Sequence, residues 1–100
     1  MKKREDLQSL QTLEKRRKKI DLIDQKLLTL LNQRLSVALE IGALKRERGE
    51  KIYHPKREEE VLRRLNARNR GPLKEEDLKK IFKKIMWVCR KAQILSSTEG

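Results

Sequence analysis

The chain has 100 residues, of which 36% are hydrophobic, 3% are aromatic and 42% are charged, with a formal net charge of +12. This length makes one domain, but so few apolar residues give a monomer little material for a core, so self-association is expected. The positive charge favours anionic partners, namely nucleic acid, an acidic membrane or a small polyanionic substrate.

Cysteine, histidine and apolar runs narrow the class of protein further. The single cysteine, Cys89, excludes an intramolecular disulfide and fits a reducing compartment. The chain has a single histidine, His54, and a single cysteine, which are too few to predict a metal site. With no apparent apolar run of signal-peptide or transmembrane length, the sequence predicts a soluble, intracellular protein.

The dominant predicted element is one long α-helix from about Leu10 to Arg48, uninterrupted by proline. Residues that recur at steps of three and four lie on one face of this helix, and this face is expected to pack against a partner. The residues on that face are Leu10, Leu13, Arg17, Ile20, Asp24, Leu27, Leu31, Arg34, Ala38, Ile41 and Lys45. Such a helix is roughly 58 Å long, more than the remaining chain can cover, which again predicts pairing with another chain.

Four charged residues interrupt this otherwise apolar face: Arg17, Asp24, Arg34 and Lys45. A buried charge without a partner is strongly unfavourable, so these side chains either face water or meet an anion inside the helical bundle. Arg34 and Lys45 share a face, whereas Arg17 lies about 100° around a straight helix from Arg34. Arg17 is therefore expected to face a different neighbour.

Two shorter helices complete a predicted all-α fold of three helices per chain. The second begins at Pro55, which suits the first helical position, and ends near Arg68. Its expected buried face consists of Val61, Leu62 and Leu65.

A break at residues 69–72, Asn-Arg-Gly-Pro, precedes the third helix, which is predicted from residue 74 or 75 to about 95. Its inner stripe consists of Leu78, Phe82, Ile85, Cys89 and Gln93. Residues 1–9, which are polar and basic, and residues 96–100 are expected to be flexible. Residues 10–95 then form the folded domain.

Polar residues on inner faces have a structural and a functional interpretation. A single arginine there usually keeps its charged head in water, and a single glutamine usually hydrogen-bonds a neighbour and sets register. Together, however, several cations and a neutral amide suit a pocket for a small dianion. Arginine forks match carboxylates, and a lysine adds a movable point charge.

The ordered set of these residues resembles the all-helical class of chorismate mutases over residues 10–95. The resemblance rests on Arg17-x-x-Ile20-Asp21-x-Ile23-Asp24-x-x-Leu27-Leu28-x-Leu30-Leu31-x-x-Arg34, Gly42-x-x-Lys45, Pro55-x-Arg57-Glu58, and Ile81-Phe82-x-x-Ile85-Met86 leading to Gln93. The segment 69–73, Asn-Arg-Gly-Pro-Leu, also resembles mutase domains at the front of fused mutase–prephenate dehydratases.

The resemblance implies an intertwined homodimer with two equivalent active sites shared between subunits. It implies a cytoplasmic isomerase of phenylalanine and tyrosine biosynthesis that converts chorismate to prephenate by a Claisen rearrangement. That reaction is unimolecular and needs no acid, base, nucleophile, metal or cofactor. Catalysis is then a matter of holding the compact conformer and stabilising charge as the ether bond breaks.

Site residues are carried over from the resemblance by position. Arg34 and Arg17 would hold the two carboxylates, with Arg17 supplied by the other subunit. Lys45 and Gln93 would donate to the ether oxygen, and Lys45 would also touch a carboxylate. Glu58 would accept a hydrogen bond from the ring hydroxyl.

Four further positions have less defined roles. Arg57 would reinforce the carboxylate pocket or orient Glu58, and Asp24 would be structural. His54 replaces an aspartate that often acts near the ring hydroxyl. Cys89 replaces a serine that often helps bind a carboxylate, and a thiol is a weaker donor.

Three other functions remain open at this point. An isochorismate pyruvate-lyase resembles the same scaffold. A basic helical dimer that binds nucleic acid fits the charge, but only Tyr53, Phe82 and Trp87 are available for stacking and no docking motif is present. A plain structural coiled coil leaves Arg17, Arg34, Lys45 and Gln93 unexplained as a set.

Overall fold

The fold is all-helical, as predicted. A computed structural model describes the backbone of residues 2–99 and the side chains of residues 6–96. In that part of the chain the elements are α1 (Lys2–Glu47), α2 (Pro55–Arg68) and α3 (Glu75–Glu99), with no strand.

Helix α1 ends in a Schellman motif at Gly49. The Gly49 N–H donates to the carbonyl of Arg46 (3.2 Å), and the Glu50 N–H donates to the carbonyl of Lys45 (2.8 Å). Gly49 has φ 67°, a conformation that costs glycine little because it lacks a Cβ atom. The helix therefore ends where the sequence predicted, but it begins at Lys2 rather than near Leu10.

Helix α2 begins at a cap made by His54. The His54 Nδ1 atom accepts from the backbone N–H of Arg57 (3.1 Å), and Pro55 occupies the first turn, where a missing N–H does no harm. The three residues expected on its buried face, Val61, Leu62 and Leu65, are only half-buried. A helix of 14 residues covered on one side leaves even its inner side chains partly open.

The predicted break between α2 and α3 is an Asx turn. The Gly71 N–H donates to Oδ1 of Asn69 (2.9 Å), and Nδ2 of Asn69 donates to the carbonyl of Leu73 (2.7 Å). Helix α3 then opens on Glu75, Glu76 and Asp77, which favour the positive end of the helix dipole. It continues to Glu99, beyond the predicted end near residue 95.

The chain divides into two compact units, Met1–Gln33 and Arg34–Gly100. The first unit is a length of α1, and every side chain described in it, from residue 6 to residue 33, is exposed. The second unit contains the end of α1 with α2 and α3. Its buried side chains include Ala38, Leu78, Met86, Cys89 and Gln93.

The predicted flexible ends keep helical backbone in the described residues. Residues 2–9 belong to α1 and residues 96–99 belong to α3, while residues 1 and 100 lie outside the described part. The flexibility of both ends stays a prediction.

One expectation about apolar runs was wrong. Within Asp6–Glu47, a window of 18 residues is apolar enough to cross a membrane by length and composition. Core helices of soluble proteins pass the same test, so one such helix is weak evidence for a membrane span. In the second unit, α1 buries Ala38 and Gly42, and the side chain of Gln93 lies against Gly42.

Candidate active site

The second unit contains a cavity of about 290 Å³. Seven of the eight residues proposed from the sequence as site residues line it: Arg34, Lys45, His54, Arg57, Glu58, Cys89 and Gln93. Apolar walls come from Val37, Ala38, Ile41, Ile52, Val61 and Met86. A concave site with a few convergent polar groups on an apolar lining is the usual form of a small-molecule pocket.

The two cations that α1 contributes are both held by neighbouring elements. Nη1 of Arg34 donates to Sγ of Cys89 on α3 (3.1 Å). Nζ of Lys45 donates to the carbonyl oxygen of Ile52 in the link before α2 (3.0 Å). Both head groups keep further N–H donors, since a guanidinium has five and an ammonium three. Both side chains are therefore oriented in the cavity and still have N–H groups available to a ligand.

Gln93 is a buried polar residue at the wall of the cavity, with 9% of its surface exposed. Its Nε2 atom donates to the backbone carbonyl of Ala38 on α1 (2.6 Å). Gln93 therefore makes the hydrogen bond to a neighbouring helix that its structural interpretation predicted. Because its amide carries a second N–H, that bond leaves a donor for a ligand.

Gly42 allows this approach of α3 to α1. A Cβ atom at position 42 would lie 3.1 Å from Cγ and 3.2 Å from Cβ of Gln93, which is closer than ordinary packing. In the sequence, Gly42 was noted only within the Gly42-x-x-Lys45 part of the resemblance. Its packing role appears only when α3 is placed beside it.

Glu58 is paired with a residue that sequence reasoning missed, Arg90. Nη1 of Arg90 donates to Oε2 of Glu58 (2.6 Å), and Arg90 lines the cavity. One signal was available, because Met86, Arg90 and Gln93 follow each other at steps of four and three on α3. The sequence predicted no role for Arg90.

His54 and Arg57 line the cavity, but each also has a local structural partner. The His54 ring caps α2, as described above. Nη1 of Arg57 donates to Oε1 of Glu60 on the exposed side of α2 (3.3 Å). In this structure the carboxylate next to Arg57 in sequence, Glu58, is oriented by Arg90.

Arg17 and Asp24 belong to the first unit, where both side chains are exposed. The cavity is formed by residues of the second unit, so Arg17 is the one proposed site residue that the second unit of this chain does not supply.

The charge of the cavity suits an anion. Four cationic side chains (Arg34, Lys45, Arg57 and Arg90) and one carboxylate (Glu58) line it, a formal charge of +3. Among the described residues no group of three His, Cys, Asp or Glu side chains is placed to hold a metal ion. The arrangement can bind a small dianion and offer hydrogen bonds from Lys45 and Gln93 to a further oxygen.

The described part of the chain is an all-helical protein with a cationic, partly apolar cavity that suits a small anion. Comparison with known proteins narrows this class. Residues 16–94 match the family described as chorismate mutase type II. This match covers most of the chain, and the chain belongs to that family.

Individual relatives agree with the family match. A bifunctional chorismate mutase/prephenate dehydratase from Neisseria gonorrhoeae is 42% identical over 73 residues, which are 73% of this chain and 20% of that enzyme. The chain thus spans about a fifth of the length of this curated relative.

Solved structures of chorismate mutase from Thermus thermophilus are also similar. Form II has a TM-score of 0.80 at 38% identity, covering 81% of this chain and 92% of that one. Form I has a TM-score of 0.76 at 40% identity, covering 77% and 96%.

Proposed function

We propose that this chain catalyses the rearrangement of chorismate to prephenate, as a cytoplasmic isomerase of aromatic amino acid biosynthesis. The observation that carries the proposal is the convergence of Arg34, Lys45, Glu58 and Gln93 on one cationic cavity. Residues 10–95 form the mutase domain. Family membership and the similar Thermus structures support this assignment.

The binding of chorismate is assigned first to the cations. Arg34 holds one carboxylate with the N–H groups that its bond to Cys89 leaves available. Lys45 reaches the second carboxylate and the ether oxygen from its position beside the carbonyl of Ile52. Because both head groups are already oriented, little reorganisation accompanies the reaction, and the compact conformer of the substrate is selected.

Gln93 acts on the breaking bond. Negative charge develops on the ether oxygen as its bond to carbon lengthens, and a fixed amide N–H stabilises that charge. The Ala38 carbonyl fixes the amide through one N–H, and the second N–H faces the substrate. Glu58 accepts a hydrogen bond from the ring hydroxyl through the oxygen not used by Arg90.

A homodimer completes the site with Arg17 from the other subunit. The first unit exposes large apolar side chains along α1, including Leu10, Leu13, Ile20, Leu27 and Leu31. Burial of apolar surface contributes roughly 25 cal/mol per Å², so pairing of these stripes stabilises a dimer. Arg17 lies on that stripe and enters the partner's cavity when the helices pair.

The direct test is to mix the purified protein with chorismate and follow its ultraviolet absorbance. Chorismate should disappear and prephenate should form, in the presence or absence of a chelator. No loss of chorismate at any pH from about 5 to about 9 contradicts the proposal. Release of pyruvate from isochorismate, without prephenate formation from chorismate, would instead identify the lyase.

The shared site has its own test. Arg17→Ala and Arg34→Ala should each be nearly inactive, but co-refolding equal amounts should restore about one quarter of the parent activity. Half of the dimers are then mixed, and each mixed dimer has one site with both arginines. Because both chains refold together from the unfolded state, mixed dimers form at random, and sedimentation checks that the refolded protein is dimeric. A mixed population that remains inactive shows that Arg17 does not complete the partner's site.

A further inference from the structure

Arg90 on α3 contacts both α2 and the link that precedes it. Its guanidinium donates from Nη1 to Oε2 of Glu58 on α2 (2.6 Å), across 32 residues of sequence. The same guanidinium stacks on the ring of Tyr53 in the link before α2, with Cζ 4.2 Å from the ring centroid. One side chain of α3 therefore holds both the link and the first turn of α2.

The pair is better shielded than other ion pairs of the second unit. The side chains of Arg90 and Glu58 are 23% and 26% exposed, whereas Arg64, which pairs with Glu60, is 67% exposed. Partial burial strengthens an ion pair relative to one in water, and stacking on an aromatic ring restricts the guanidinium further. Glu58 thus has a defined orientation before any ligand arrives.

We propose that Arg90 is a positioning residue for Glu58 in the reaction assigned under Proposed function, on which this inference rests. Arg90 occupies Oε2, which leaves Oε1 of Glu58 to accept the hydrogen bond from the ring hydroxyl. The stack on Tyr53 keeps Arg90 against the wall of the cavity, away from the carboxylates of the substrate. The carboxylates are then bound by the other cations, and Arg90 acts through Glu58 alone.

Three variants test this role, each assayed well below its unfolding temperature. Arg90→Met should lower kcat/KM about tenfold, an effect typical of coupled residues in contact. Arg90→Lys should recover part of the loss, because lysine keeps the charge but lacks the planar fork that pairs and stacks. The matched control is Arg64→Met, which also removes an arginine–glutamate pair and should change kcat/KM less than about twofold.

A double-mutant cycle separates positioning from direct binding. In a Glu58→Gln background, Arg90→Met should change kcat/KM by less than about twofold, because the residue through which Arg90 acts has already been altered. The same tenfold loss in both backgrounds overturns the inference, since Arg90 would then contact the substrate itself.

Crystal structures of the parent and of Arg90→Met provide a readout that does not depend on activity. The Glu58 side chain should leave the cavity wall or become disordered when Arg90 is replaced. An unmoved Glu58 overturns the inference. If the parent fails to convert chorismate while Glu58 moves as expected, the proposed function fails and the positioning contact stands.

Discussion

The two units of the chain share one helix, yet they differ in what that helix does. In the first unit every described side chain is exposed, and Leu28 has 61% of its surface open. In the second unit the end of α1 packs against α3, and Leu78 and Met86 are each only 5% exposed. The stripe of α1 is therefore wholly exposed in the first unit, whereas in the second unit Ala38 on that stripe is buried.

The two units therefore have different roles in the proposed enzyme. The second unit supplies a cavity whose polar groups are held by contacts within the unit, such as those of Arg34 with Cys89 and Gln93 with Ala38. In the proposed homodimer, the first unit supplies an apolar stripe for pairing and Arg17 for the partner's site. Substitutions in each unit should therefore fail in different ways.

The largest effect is expected from a charge placed on the first-unit stripe. Leu27→Glu should dissociate the dimer and lower kcat/KM by at least about 100-fold, because an unpaired buried charge costs about 3–5 kcal/mol. Sedimentation equilibrium and a chorismate assay over a range of protein concentrations measure both effects. Lys26→Glu places the same carboxylate one residue away and should remain dimeric. If the Leu27→Glu protein is dimeric and active, the dimer interface does not lie on this face of α1.

The next largest effect is expected at Gln93, the amide donor that the Ala38 carbonyl holds in the second unit. Gln93→Glu should raise the barrier by about 2.7–4 kcal/mol at neutral pH, the cost of losing an oxyanion-hole contact. An ionised carboxylate has no donor for the ether oxygen or for the Ala38 carbonyl. Protonation restores a donor, so activity should rise as pH falls.

Gln93→Ala is the control for this substitution. Gln93→Ala should lose the same activity at neutral pH but should not recover activity in acid. Thermal unfolding of each variant shows how much of the loss comes from instability caused by losing the hydrogen bond to Ala38. If Gln93→Glu is as active as the parent at about pH 8, Gln93 does not face the ether oxygen.

A smaller effect is expected from closing the contact between α1 and α3. Gly42→Ala places a methyl group 3.1 Å from Cγ of Gln93, and such overpacking costs about 1–3 kcal/mol. Urea unfolding should show this loss, and kcat should fall because the amide is displaced. The control is Gly49→Ala, which is strained by its φ of 67° but has nothing within 4 Å. Equal stability loss with unchanged kcat in both variants contradicts the positioning of Gln93 by Gly42.

The smallest effect concerns Cys89. Serine in place of this thiol is a better hydrogen-bonding partner for Arg34 and a better donor to a carboxylate, each worth about 0.5–1.5 kcal/mol. Cys89→Ser should therefore lower KM about two- to tenfold with little change in kcat, and Cys89→Ala should raise it. Identical KM values in the two variants show that the side chain at 89 does not contribute to binding.

Local chemistry explains why much of the fold was predictable. Pro55, Gly49 and the segment 69–72 mark element boundaries through backbone preferences that act over a few residues. Helix ends without such a signal were misplaced: α1 begins at Lys2 and α3 ends at Glu99.

The lining of the cavity was partly predictable from residues that interrupt an apolar pattern, although Arg17 and Asp24, which also interrupt it, are exposed in the first unit. Arg34, Lys45 and Gln93 stand out because charge or amide occupies an inner position, and all three line the cavity. Arg90 was missed because α3 is rich in basic residues, and sequence gives no means of telling the one that pairs with Glu58 from those in solvent.

The sequence by itself determined the helical class, the order of the elements, the excess of positive charge and the polar residues on inner faces. These follow from composition, periodicity and local backbone preference. Only the tertiary structure decided which partners those residues have: Arg34 with Cys89, Lys45 with Ile52, Gln93 with Ala38 and Glu58 with Arg90. Such pairs join residues up to 55 positions apart, and their geometry depends on how the helices pack.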